Sequence, residues 1–385
     1  MSARDAVIVE AVRAPVGRRG GSLASVHPVD LSAHVLTALV ERAGLAPDRI
    51  DDVIWGCVQQ VGAQSFNIGR NAVLAAGWPQ EVPATTIDRQ CGSSQQAVHF
   101  AAAGLIAGQY DVVVVGGVEA MSTIPMGAAL GTDLGFPYPP SVLERYGVTT
   151  FNQGIGAEMM AQKWALTREA CDTFASQSHA RLAAATDSGA LAGQLVPVPL
   201  ADGSVLSADE GLRRGTTVES LSGLKPVFQA DGVIHAGNSS QISDGAAALL
   251  MMTSAKAAEL GLTPIARFHS GALAGDDPVM MLSAPIPATQ KVLQRSGLSL
   301  EEIGVYEVNE AFAPVPMAWL AETGADPARL NPNGGAIAIG HPLGGSGARI
   351  MTQMVHHMRD NGIRYGLQTM CEGGGMANAT ILELL

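Results

Sequence analysis

Two rhythms of apolar positions alternate along residues 1–118. Short apolar runs at 5–12 (DAVIVEAV), 51–58 (DDVIWGCV), 84–88 (ATTID) and 111–118 (DVVVVGGV) predict strands. Between them, 30–44 (DLSAHVLTALVERAG) places apolar residues at helical spacing and stops at Gly44. A second helix is predicted over 93–108 (SSQQAVHFAAAGLIAG). Buried strands separated by helices argue for an α/β fold whose sheet is covered on both faces.

The rhythm breaks over 119–241, where turn-rich stretches such as MGAALGTDLGFPYPP (126–140) surround one helix predicted from Leu166 to about Ser188. It resumes with a strand at 245–254 and a helix at 255–260. The last third then repeats the first. RAGLAPDRIDDV (42–53) and RSGLSLEEIGVYEV (295–308) share R-x-G-L-x-x-x-x-I, each a helix end, a glycine turn and a strand entry. With a final strand pair at 366–371 and 376–384, this predicts a duplicated α/β unit. One half is 1–118 completed by 242–265, the other is 266–385, and 119–241 is an insertion.

Composition narrows the function. The chain has 385 residues, 47% apolar and only 15% charged, enough for a large interior and for oligomer interfaces. A net charge of −12 argues against nucleic acid or an anionic membrane surface as partner. No apolar run approaches the length of a membrane span, and no secretory leader is evident, so a cytoplasmic setting is expected. The four cysteines at 57, 91, 171 and 371 form no C-x-x-C pair. That spacing indicates neither a zinc site nor a disulfide framework, and in a reducing compartment free thiols are available for catalysis.

Four stretches could carry chemistry. In DRQCGSSQQAVHF (88–100), Cys91 sits where a strand passes into a helix. Helix N-termini stabilise a thiolate, and Ser93 and Ser94 are available as caps. Cys91 is either a nucleophile or a small buried corner residue. In NPNGGAIAIGHPLGGSGAR (331–349), glycine turns flank His341, without the spacing of a phosphate-binding loop. His356 and His357 fall inside the following helix and read as packing or surface residues. In EVNEAFAPVPMAW (307–319), Asn309 and Glu310 end an apolar strand, a common place for active-site groups, though Asn309 reads equally well as a helix N-cap. In TMCEGGGM (369–376), Cys371 stands at a strand tip before three glycines. Two thiols and a histidine allow one set of reactions. One thiolate is acylated, the histidine moves protons, the second thiol serves a carbon acid, and backbone N–H groups hold oxyanions.

Taken together and in order, these motifs, with VIVEAVRAPVGRRGG at the start and GNSSQISDGAAA at 237–248, resemble the thiolase family along essentially the whole chain. The resemblance implies a duplicated five-layer αβαβα core with an inserted loop domain over the CoA site. It implies that Cys91 is the acylated nucleophile, His341 activates Cys91 and CoA, and Cys371 is the acid/base at the α-carbon. Asn309 would hold a water that forms one oxyanion hole with His341, while the N–H groups of Cys91 and Gly373 would form the second. CoA is expected as substrate, with no tightly bound cofactor and no metal. Arg213 would lie near its nucleotide, Ser240 near its pantetheine and Met281 at the acyl end. A homodimer or homotetramer is expected.

The implied reaction is thiolytic cleavage of a 3-oxoacyl-CoA, or its reverse condensation. A biosynthetic acetoacetyl-CoA thiolase is the alternative within the family. A ketoacyl-synthase-type condensing enzyme would carry His or Asn in place of Cys371, and a non-catalytic acyl-CoA-binding relative would have lost one of the three groups. The chain departs from the family pattern at Asp88, where Asn is common, and at Asn152 and Gln153, where many members carry His-Met. The latter change is similar to thiolases acting on longer or bulkier acyl chains. Glu372, beside Cys371, has no role in the pattern; aimed at the thiol, it would raise its pKa.

Overall fold

The computed structural model describes residues 4–130 and 135–385. The first run alternates β1 (Val7–Arg13), α1 (Pro28–Ala43), β2 (Asp52–Gly56), α2 (Ile68–Ala75), β3 (Ala84–Ile87), α3 (Ser93–Ala107) and β4 (Val112–Ala120). The irregular middle contains α4 (Gln153–Lys163) and α5 (Arg168–Asp187). Then come β5 (Ser243–Met252), β6 (Ala266–Gly275), α6 (Pro285–Ser296), β7 (Val305–Val308), α7 (Pro314–Thr323), α8 (Ser346–Asn361), β8 (Tyr365–Glu372) and β9 (Met376–Leu384).

The duplication is visible in the strand order. One half runs β1-β5-β4-β2-β3 and the other β6-β9-β8-β7. In each, two parallel strands (β2 with β4, β7 with β8) adjoin two antiparallel partners. Even β3 has a counterpart, since Leu330 makes a parallel bridge to Tyr306 of β7. The halves join edge to edge through β1 and β6, paired only at Val7–Arg267 and Ile8–Ala266. The sequence repeat marks equivalent corners. Both α1 and α6 end on a left-handed glycine, Gly44 at φ 66° and Gly297 at φ 72°, as expected for a residue without Cβ.

The layers follow from burial. Leu31, Val35 and Leu39 of α1 pack with Val73 of α2 on Val53, Trp55 and Val114 of one half. Val292 of α6 and Trp319 of α7 cover Tyr306, Leu367 and Ile381 of the other. Between the halves lie α3 and α8, where Ala97, Ala101 and Leu105 meet Met351, Met354 and Met358. That makes five layers, with two helices enclosed in the middle. Their enclosure explains why α8 buries Arg349, Thr352 and Gln353 along with its methionines. The N-termini of α3 and α8 are side by side, because the Ala348 N–H donates to Ser94 Oγ at 2.9 Å. Cys91 and His341 precede those two N-termini.

The middle segment is tied to the core by a buried ion pair. Arg13 of β1 donates to both Asp209 oxygens, at 2.7 and 2.8 Å.

Candidate active site

Cys91 is delivered by a strained turn. After β3, Asp88 Oδ1 accepts the Gln90 N–H at 2.6 Å, and Gln90 is held at φ 48°, rare for a residue with a side chain. Ser93 Oγ accepts the Arg89 N–H at 2.9 Å and donates to Gln90 O at 2.6 Å, closing the turn from behind. The expected serine cap is therefore not present. Gly92 is the N-cap and no side chain caps α3, since both serine hydroxyls have other partners.

His341 is placed by backbone that only glycine allows. Gly340 lies at φ 117°, and a Cβ there would collide with Ser243. The loop beyond is fastened by Glu119, whose buried carboxylate accepts the N–H groups of Gly344 at 2.8 Å, Val58 and Gln59 at 3.0 Å, and Gln64 Nε2 at 2.8 Å. Ser346 Oγ donates to Pro342 O at 2.8 Å and lies 2.6 Å from His341 Nδ1. A hydroxyl has one proton, so Ser346 must accept from Nδ1–H, leaving Nε2 as the free base. Asn309 Nδ2 stands 3.4 Å from that Nε2. Burial, with Arg349 nearby, pushes the imidazole down to about 3, so it is neutral at physiological pH.

Asn309 does not cap a helix. It directly follows β7, five residues before Pro314 begins α7, and its N–H donates to Thr369 O at 3.1 Å. Glu310 is a strut: its carboxylate accepts from Ser178 of α5 at 2.6 Å, Asn331 at 2.9 Å and the Ile337 N–H at 3.2 Å.

Cys371 lies one residue before the end of β8. The Glu372–Met376 pair closes a three-glycine turn in which Gly374 and Gly375 hold φ of 83° and 76°. Gly373, at the start of that turn, packs against the Gln90 side chain. Burial raises Cys371 well above an ordinary thiol, and Cys91 is close enough to oppose its ionisation further.

The expectation of a stabilised Cys91 thiolate is overturned. Burial, then Glu372, pushes Cys91 up to about 12, outweighing its own N–H and the nearby Gln153 side chain, which both lower it. Desolvation beats the helix N-terminus because the five layers exclude water from the turn. A base is needed to ionise it, and neutral His341 is suited to that task.

The outer positions are less gathered. Met281, buried at φ 63°, shares a core with Cys371 and Phe312. Ser240 is half-buried, and its N–H donates to Ala311 O at 2.9 Å, beside the Asn309 loop. Arg213 is exposed on the middle segment, its N–H donating to His179 Nδ1 at 3.2 Å. Three contributors were not assigned from sequence: Ser346, Glu119 and the Gln153 contact. Ser346 was signalled only by its place between glycines after His341.

Residues 6–255 match the thiolase N-terminal domain family and residues 262–384 the thiolase C-terminal domain family. The chain belongs to the thiolase family. This thiolase is 47% identical to the steroid 3-ketoacyl-CoA thiolase FadA6 of Mycobacterium tuberculosis, over 99% of this chain and 94% of the relative. It is 44% identical to a 3-ketoacyl-CoA thiolase of Pectobacterium carotovorum, over 98% of both. Its fold superposes on the acetyl-CoA acetyltransferase of Bacillus anthracis with a TM-score of 0.91 at 39% identity, covering 99% of each chain. Within this thiolase, the departures now have positions. Asp88 shapes the Gln90 turn, Asn152 caps α4 by accepting from the Gly154 and Ile155 N–H groups, and Gln153 faces Cys91. No helix among the described residues is long and apolar enough to cross a membrane.

Proposed function

We propose that this acetyl-CoA C-acyltransferase cleaves 3-oxoacyl-CoA with CoA through an acyl-Cys91 intermediate. The observation that carries the reading is the neutral, tautomer-fixed His341 beside Asn309, at a site that also holds two buried thiols. Nε2 takes the Cys91 proton, and the sulfur adds to the 3-keto carbon. The new Nε2–H then becomes a donor to the oxyanion, together with a water for which Asn309 Oδ1, a buried acceptor without a partner, is suited. Breaking the C2–C3 bond releases the acetyl-CoA enolate, which Cys371 protonates. Burial supports that role, since a thiol with high proton affinity yields a thiolate basic enough for the reverse step. The proton on His341 returns to Cys371. CoA then gives its thiol proton to His341 and takes the acyl group from Cys91, and His341 returns that proton to the departing Cys91 sulfur.

Residues 119–241 serve as the cover over CoA, with exposed Arg213 for its phosphates and Ser240 for the pantetheine arm. The N–H groups of Cys91 and Gly373 serve the thioester oxyanion. Met281 lines the acyl end, and Gln153 in place of methionine suits an acyl chain longer than acetoacetyl. The enzyme acts as a homo-oligomer.

Acetyl-CoA should add one acetyl mass to the Cys91 peptide. Cys371→Ala should keep that label and lose solvent exchange of the acetyl α-protons. A label on Cys371, or exchange that survives, overturns the assignment. Turnover of 3-oxoacyl-CoA esters from acetoacetyl to sterol-like tests the acyl proposal, which fails if acetoacetyl-CoA is the best substrate.

A further inference from the structure

Glu372 is a carboxyl in the site to which the mechanism gives no part. Its side chain is fully buried, and neither oxygen has a hydrogen-bond partner. It turns away from the adjacent Cys371 to the base of α3, where a Cβ on Gly92 would overlap its Oε1. Asn378 of β9 reaches the same point, donating through Nδ2 to Gly92 O at 3.0 Å, while its own Oδ1 is also an unpartnered buried acceptor. The Glu372 carboxyl is thus pressed against Gly92 with no donor to either of its oxygens. A proton on Glu372 converts one acceptor into a donor and removes a charge that this space cannot solvate.

We infer that Glu372 is a positioning residue that acts through Cys91: its carboxyl must be protonated for Cys91 to ionise readily, and its ionisation disarms the nucleophile. This rests on Cys91 being the nucleophile. The argument is one of crowded charge. Glu372, Cys91 and Cys371 are three acidic groups around one buried turn; Glu372 opposes ionisation of both thiols, and Cys91 opposes that of Cys371. With Glu372 neutral, a thiolate at Cys91 is spared that neighbour's charge. With Glu372 ionised, the thiolate adds a second negative charge beside it.

The groups facing Glu372 set where this happens. Burial raises it to about 8. Arg89 of the β3–α3 turn lowers it, Asp88 of the same turn raises it, and the Asn378 N–H lowers it slightly. Neither Arg89 nor Asn378 is close enough to hydrogen-bond an oxygen. From β8 the neighbour is Cys371, and from α3 it is Gly92, which carries no charge. Glu372 is therefore predominantly protonated at neutral pH and ionises as the pH rises through about 8.

The test is iodoacetamide alkylation of Cys91 from pH 6 to 9.5, read by peptide mass spectrometry. In the wild type, the rate should climb with pH and flatten near pH 8. Glu372→Gln should match the wild type at pH 6 and react roughly tenfold faster at pH 9.5, the effect of about one unit in the thiol pKa. Arg89→Gln should move the flattening to higher pH. Cys57 and Cys171, both buried, report misfolding in the same digest by becoming reactive. Parallel profiles for wild type and Glu372→Gln, or a flattening unmoved in Arg89→Gln, overturn the inference. Failure of acetyl-CoA to label Cys91 instead overturns the proposed function, because the alkylation profile does not depend on turnover.

Discussion

The Nδ1–H of His341 donates to the Ser346 hydroxyl at 2.6 Å, and that hydroxyl donates in turn to Pro342 O at 2.8 Å. A single serine therefore decides which imidazole nitrogen carries the proton.

Ser346→Ala removes the partner that fixes the tautomer. The expected result is a loss of roughly 10- to 100-fold in kcat with little change in KM, the range for groups that orient a ligating or catalytic histidine. Ser346→Thr keeps the hydroxyl and should recover most of the rate. Nitrogen-15 NMR of labelled histidine should show Nδ1–H in the wild type and mixed tautomers in the alanine variant.

His341 is held neutral down to about pH 3, so the folded protein refuses a proton that the unfolded chain accepts below about 6.5. Stability should therefore fall as pH drops below 6.5. His341 alone contributes about 2 kcal/mol of that loss at pH 5. Urea denaturation of wild type and His341→Asn at pH 7 and pH 5 checks it. The asparagine variant should lose less on acidification, and equal losses would contradict a depressed histidine.

Gly92 and Glu372 occupy complementary space. Gly92→Ala drives a methyl into the Glu372 carboxyl and should destabilise by roughly 1–3 kcal/mol, as overpacking of a close-packed interior does. Adding Glu372→Ala makes room, so the double variant should recover part of that loss. A thermal-denaturation cycle reads the coupling, and strictly additive effects would mean that the two groups do not meet.

Arg13 and Asp209 form a buried bidentate pair between β1 and the middle segment. Arg13→Met leaves Asp209 charged and unpaired, at a cost of about 3–5 kcal/mol. The Arg13→Met, Asp209→Leu double variant should regain most of it. Limited proteolysis should cut first within 119–241 in the single variant, and unchanged proteolysis would deny the pair a tethering role.

The legible parts of the site were those with local causes. His341 was readable because glycines flank it, and Cys91 because a strand gives way to a helix there. Ser93 and Ser94 were misread as caps for the same reason. Their hydroxyls are committed to the Gln90 turn and to α8, and α8 begins more than two hundred and fifty residues from Ser94. Asn309 looked like an N-cap because the proline run that delays α7 to Pro314 leaves no trace in hydrophobic period.

From the sequence alone came the alternating strands and helices, the repeat that places Gly44 and Gly297 at equivalent corners, and the candidates for the reactive groups. Apolar period and glycine conformation are local properties, and they survive without knowledge of neighbours. Only the tertiary structure decided that Cys91 is a buried thiol of raised proton affinity, that Ser346 selects the His341 tautomer, and that Glu372 faces Gly92 rather than Cys371. Each of those depends on desolvation and on groups brought in from another half of the duplicated core. Charge and proton affinity are set by what surrounds an atom in space, and hydrophobic spacing along a chain does not encode that.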